Sequence, residues 1–315
     1  MKFIKTILWS FFLFSALGIA QDSKNDSIPS ESQRTDTIPK IFQIVESASQ
    51  KRVGNDSIIE KPQRLAFESS FIIDNPTNVV YSKKSMEMQI KHRFGLINSG
   101  DNDLAGIWAP ANIRIGLTYT FIEGVSLGFG TTKNKRLQDF SLQTRLLRQT
   151  RSDKIPFSVS YYGNFVIDAR QKELFEYSQD RFSFFHQIIL ARRFSRNFSL
   201  QLATSISHFN LVDVGRENDI FGLSLGGRYK ISPQTSILVD YSQPFTNYPE
   251  DEGVDINPKP GLSIGVEFGT SGHAFQLLIS NNNGIVPQEI YSFNQNDFFK
   301  GDILIGFNIT RVYKF

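Results

Sequence analysis

Cysteine is absent from this chain of 315 residues. That excludes disulfides, iron–sulfur clusters, thiolate zinc sites and a lipid-modified N-terminal cysteine. Histidine is scarce, and His92, His186, His208 and His273 are the only four. None stands at a metal-ligand spacing from another or within an acidic cluster, so no metal, cofactor or catalytic residue is assigned. No charge of one sign dominates either. The 34 Lys and Arg against 31 Asp and Glu give a net charge of +3, to which Lys2 and Lys5 contribute two units. Nothing in that balance selects nucleic acid as a partner. Glycine-rich phosphate loops are missing, and beyond the first twenty residues no apolar run reaches the roughly 18 residues of a membrane helix.

Aromatic residues, by contrast, are plentiful: 29 Phe and 10 Tyr in a chain whose mean hydropathy is −0.23. The pairing suits a barrel with an aromatic outer surface and a polar inner one. Residues 1–20, MKFIKTILWSFFLFSALGIA, set Lys2 and Lys5 before an apolar run that ends in small residues. They read as a signal peptide cleaved before Gln21. Residues 21–63 are rich in Ser, Asp, Lys, Gln and Pro and read as a disordered periplasmic leader. Within it, IFQIVESA (41–48) is either unstructured, a transient helix or a docking peptide. Residues 64–84 form a more apolar pre-barrel segment, and whether it lines or enters the barrel stays open.

From Ser85 onward, apolar and polar residues alternate with period two, the signature of strands with one greasy face. In MEMQIKHRF, Met86, Met88, Ile90 and Phe94 oppose Glu87, Gln89, Lys91 and Arg93. Twelve such segments are counted, at roughly 85–95, 111–121, 124–132, 136–148, 156–168, 181–195, 198–209, 219–231, 234–242, 260–270, 273–281 and 301–315. Short links such as Ile122–Glu123 and Ser232–Pro233 mostly alternate with long ones such as 169–180 and 243–259. An even strand count with alternating loop lengths is the outer-membrane pattern. The fold expected over 85–315 is therefore an all-β, transmembrane, antiparallel up-and-down barrel in the outer membrane with both termini periplasmic.

The stretches KHRFGLINSG, APANIRIGLTY, SHFN, GGRYKIS, GHAFQLLISN and PQEIYSFNQNDFFKGDILIGFNITR carry a resemblance. Over residues 66–315 the chain resembles an uncharacterised Bacteroidota family, domain of unknown function 5777, described as a β-barrel. The resemblance implies an outer-membrane barrel and brings no activity or functional residues with it.

On the polar rows stand Glu87, Lys91, Arg93, Arg114, Asp139, Arg145, Asp168, Arg193, Arg228, Lys230, Asp240, Glu267 and Asp302. These are expected to line the lumen, either as a conductive path or as a ladder of ion pairs. Twelve strands lie between the roughly eight that side chains fill and the sixteen or more that leave an open channel. The loop 282–300 either folds inward or stays on the surface. The four histidines fall on the lipid-facing rows. A lipid-face hydrolase would need Ser beside His on one face, yet Ser205 and Ser207 have opposite parity to His208; a rim site joining His208 and Asp219 is a remote alternative. The chain ends GFNITRVYKF, where Tyr313 and Phe315 resemble the signal read by the barrel-assembly machinery, and Arg311 breaks the lipid-facing row. The function expected is a porin-like channel or small-solute transport protein surrounded by outer-membrane lipid. The alternative is a non-conducting anchor or scaffold whose leader reaches a periplasmic partner.

Overall fold

The structure, a computed structural model, describes residues 60–98, 103–250, 253–270 and 272–315. The expected signal peptide and the leader up to Ile59 lie outside the described residues. Twelve strands follow one another. They are β1 (Ser85–Leu96), β2 (Asn112–Ile122), β3 (Val125–Thr132), β4 (Leu137–Leu147), β5 (Ser158–Asp168) and β6 (Phe182–Arg193). Then come β7 (Phe198–Phe209), β8 (Asp219–Lys230), β9 (Thr235–Phe245), β10 (Gly261–Thr270), β11 (His273–Ser280) and β12 (Leu304–Lys314). Each pairs antiparallel with its neighbours in sequence, and β1 pairs with β12 from Ser85↔Lys314 to Leu96↔Leu304. The sheet is thereby a closed barrel. Closure leaves no strand edge unpaired, which is what allows a β structure to sit in lipid.

Alternation along each strand sorts the two faces. In β8, Ile220, Gly222, Ser224, Gly226 and Arg228 point inward and are buried, while Phe221, Leu225 and Tyr229 are exposed on the outside. Arg228 inside and Phe221 outside is the reverse of a soluble barrel, and it is the arrangement a hydrocarbon surround selects. Links after β2, β6, β8 and β10 are short and, with the ten-residue link after β4, define the turn end; β2 and β3 join through Gly124, whose φ of 82° only glycine adopts freely. The longer loops gather at the opposite, loop end.

Two pieces of the described chain occupy the interior. Ahead of β1, Pro62 bridges Thr150, and the Gln63 amide donates to the Gln149 carbonyl at 2.8 Å. The last residues of the expected leader are thus tied to the turn end. From there the chain enters the barrel, and every residue from Ser69 to Val80 is buried. It doubles back on itself: the Thr77 amide donates to Ser70 O at 2.8 Å and the Ile72 amide to Asn75 O at 3.0 Å. The result is a finger with its tip at Asp74–Asn75. Asn75 followed by Pro76 is a turn signal set between FII and VV. From the loop end descends a helix, α1 (Pro287–Phe293), with Pro287 in its first turn. Ile290 and Tyr291 on it are almost completely buried. The loop 282–300 therefore folds inward over its helical part.

Candidate functional site

The site is the lumen, where finger and helix meet the wall. Apolar residues give the finger its bulk. Ala66, Phe67, Ile72, Ile73 and Val79 pack on the inward side chains Ala191, Leu238 and Leu278. Glycines on the wall make the room. A Cβ at Gly222 would lie 2.4 Å from the Tyr291 ring, and one at Gly226 would lie 3.1 Å from Ile72 Cδ1. Those two wall positions accept the inner segments because they carry no side chain.

Polar contacts set the finger's register. Asp74 receives Arg93 Nη2 at 2.8 Å and is also bonded by Ser263 and, at 3.0 Å, by Asn282. Asp240 on β9 accepts the backbone amides of Asp74 and Asn75 at 2.8 and 2.9 Å, and Asn75 Nδ2 at 2.8 Å. One carboxylate thus gathers three donors from the tip. Lower down, Glu87 accepts from the amide and hydroxyl of Ser70 and, at 3.1 Å, from Tyr81. Lys91 stands over the Phe71 ring at 3.4 Å, a cation–π contact away from bulk water. Arg228 joins Glu267 on β10 at 3.0 Å to Glu68 of the finger at 2.8 Å. The finger and α1 touch where Tyr291 Oη donates to Asn75 Oδ1 at 2.9 Å.

The remaining charged positions divide by height. Arg114 and Asp139 pair within the wall at 2.6 and 2.9 Å, independent of the finger. Arg145, at the turn end, binds Glu123 at 2.8 Å and the carbonyl of Val80, where the finger leaves for β1. Its guanidinium holds the Glu123 carboxyl below the usual range. Arg193 donates to the carbonyl of Leu65 at 3.3 Å, where the finger enters. Lys230 lies half-buried at the same end. At the loop end, Asp168 binds Arg170 at 2.7 Å, and Asp302 accepts the amide of Asp297 at 3.0 Å. Above α1 opens a cavity of about 360 Å³ between Phe182, Phe209 and Phe293, with Lys135, Asp168 and Glu289 on its walls.

Four partners of this network escaped the strand-based reading: Glu68, Asp74, Asn75 and Tyr291. Only the stretch FIIDNPTNVV, two apolar runs about an Asn-Pro turn, hinted at the finger. Among the histidines, His186 Nδ1 bonds the Tyr161 hydroxyl at 2.6 Å, and His92 stacks on Phe307 with centroids 5.0 Å apart. His208 contacts Asp219 through Nδ1 at 2.8 Å and Asn210 through Nε2 at 3.0 Å, so both ring nitrogens are engaged. Among the described residues no group of His, Asp and Glu has the geometry to hold a metal ion.

A closed barrel with an apolar outside and ion pairs inside matches one known domain family. The family described as a membrane bound beta barrel domain (DUF5777) has a model that matches residues 67–313. This chain belongs to that family. The match starts at Phe67, inside the finger, so the finger is part of the family's domain rather than an appendage. No curated protein matches the chain. Among solved structures, the COG4313 outer membrane channel from Pseudomonas putida F1 is similar at 9% identity and a TM-score of 0.47, covering 75% of this chain and 97% of that one. The KdgM porin is similar at 8% identity and a TM-score of 0.43, covering 73% and 99%. LpxR from Salmonella typhimurium, at 14% identity, has a TM-score of 0.36 and covers 73% and 100%. None of them lends an activity to this chain.

Proposed function

We propose that this chain is an outer-membrane barrel for the passage of small polar solutes that rests closed, with the finger as its stopper. The observation that carries the reading is the wall behind the finger. Its buried charges are balanced, with Lys91, Arg93, Arg114 and Arg228 facing Glu87, Asp139, Asp240 and Glu267, and Ser, Gln and Asn fill the rows between. A barrel that served only as an anchor has no use for such a surface, since about eight strands already yield an interior that side chains fill. With the finger withdrawn this wall is wettable, and its Arg114–Asp139 pair stays satisfied. Gln187 Oε1, Gln201 Oε1 and Ser205 Oγ are buried without a protein partner, which fits an interior that holds water. Equal numbers of each charge predict weak ion selectivity.

The chain reaches the membrane, in this reading, through its signal peptide, and the barrel-assembly machinery reads Tyr313 and Phe315. No enzymatic role is proposed, because the one His–Asp contact at the rim has no free ring nitrogen. A second reading is a non-conducting anchor whose leader holds a periplasmic partner; the filled lumen favours it. Planar-bilayer recording separates the two. The full chain is expected to show no stepwise current, and Asp74→Ala combined with Asn75→Ala, which removes the side-chain contacts of the tip, is expected to show it. In that opened variant, charge reversal at Arg114 or Arg228 should shift ion selectivity. A silent tip variant that still migrates as a heat-modifiable barrel would leave the anchor.

A further inference from the structure

Arg311 sits on the lipid-facing row of β12 with no carboxylate beside it. Its neighbours across the strands are Met88 on β1 and His273 on β11. Its guanidinium lies over the Tyr313 ring at 4.7 Å, and the residue is exposed. A cation on a hydrocarbon-facing row is costly unless its head finds water or an anion. Nearer the turn end, in the turn that leads into β1, is Lys84, whose carbonyl accepts the Phe315 amide at 3.0 Å. Lys84 is exposed too, and Met86 pairs with Tyr313 between the two cations. Four residues of strand separate them, roughly 14 Å at about 3.4 Å per residue, a gap that two long flexible stems can close from either side.

The surroundings have the same sign. At the turn end nine basic residues are exposed: Lys61, Arg64, Lys83, Lys84, Arg151, Lys154, Arg196, Arg311 and Lys314. Among the described residues, only Glu68, Glu123 and Asp153 carry exposed acidic side chains there, and each has an ion-pair partner. The loop end is the reverse: among the described residues Glu173, Glu176, Asp213, Glu217, Asp219, Glu250 and Asp255 are exposed, against Lys133, Arg136, Arg170, Lys172 and Lys300. The chain is nearly neutral overall but polarised along the barrel axis.

We propose that the outer face at the turn end, centred on Arg311 and Lys84 with Tyr313 between them, binds the headgroup phosphate of an anionic phospholipid in the adjoining leaflet. The guanidinium offers a planar fork that matches a phosphate, the lysine a second charge, and Tyr313 and Met86 a bed for the glycerol and upper acyl chain. This site is separate from the lumen, and its test does not read conduction.

The test measures spin-labelled phosphatidylglycerol against spin-labelled phosphatidylcholine at the surface of the full-length barrel in phosphatidylcholine bilayers. The wild type should prefer phosphatidylglycerol, and high salt should weaken that preference. Arg311→Gln and Lys84→Gln should each reduce it about fivefold, while Lys133→Gln at the loop end leaves it unchanged. Arg311→Lys, which keeps the charge, should retain most of it, and heat-modifiable migration checks that each variant is folded. Equal association of the two lipids with the wild type would overturn the proposal, as would an unchanged preference in the folded double variant. Displacement by inorganic phosphate at matched concentration would also overturn it, by making this a site for free anions.

Discussion

The finger and α1 stop the same lumen from opposite ends, and they are held in opposite ways. At the finger's tip the polar groups are matched: Asp74 has Arg93 and Asn282, and Asn75 has Asp240 and Ser242. The helix carries polar atoms with no protein partner, namely both ends of the Gln288 side chain, Ser292 Oγ and Glu289 Oε2. Most of what holds α1 is apolar, with Ile290 and Tyr291 packed against Phe71, Phe185 and Ile189 and the Tyr291 ring stacked on Phe185 at 5.7 Å, beside the Glu289–Lys135 pair at 3.4 Å and the Tyr291–Asn75 bond. Directional bonds fix one register and fail together when a partner is lost. Apolar contact is tolerant of small displacements and leaves space for water. One interior element is therefore locked and the other seated.

The comparison breaks most readily at Arg93. Arg93→Met strips Asp74 of its cation inside the barrel, and removing one member of a buried pair costs about 3–5 kcal/mol. The expected outcome is a lowered temperature of heat modification, together with protease cleavage near Asp74 that the wild type resists. Tyr291→Phe removes the bond that links helix to finger and leaves the ring in place. It should cost about 1 kcal/mol, seen as a smaller shift in the same assay. Gln288→Leu sharpens the contrast, because no protein hydrogen bond is lost; stability should hold or rise slightly.

The smallest effect belongs to the surface. In the loop between β9 and β10, hydrogen bonds from Lys259 and Asn257 hold the Asp255 carboxyl well below the usual range. A lowered folded value means the stabilisation is complete above the ordinary aspartate value of about 3.9 and is lost as the pH falls below it. The group is fully exposed, so the loss should be confined to that loop. Amide protection in the loop, taken relative to the intrinsic exchange rate, should decline as the pH falls below about 4, and Asp255→Asn should abolish that pH dependence.

The wall of this barrel could be read from the chain because each strand separates hydrocarbon from a polar lumen, and that demand writes period two into the residues. All twelve strands were legible, with β9 reaching Phe245 instead of 242 and β12 starting at Leu304 instead of 301. The finger was not. Ser69–Val80 is surrounded on every side, so no face of it is required to be polar and no periodicity marks it. α1 hides for a related reason. Seven residues are too few for a helical repeat to stand out, and Asn and Gln flanking them suggest a surface loop. Charged residues on the walls were visible one by one, but their partners Asp74 and Glu68 became apparent only when the finger was seen among them.

The finger ends four residues before β1, α1 ends ten residues before β12, and β1 and β12 are the two strands whose pairing completes the barrel. Both interior elements therefore flank one seam. Each reaches the lumen from its own mouth, the finger from the turn end and α1 from the loop end. Zipping β12 to β1 therefore fixes the anchor points of both elements in one step. On that view the final zipping event also corks the vessel from both sides, and a barrel that closes without its finger is a different product from one that loses it later.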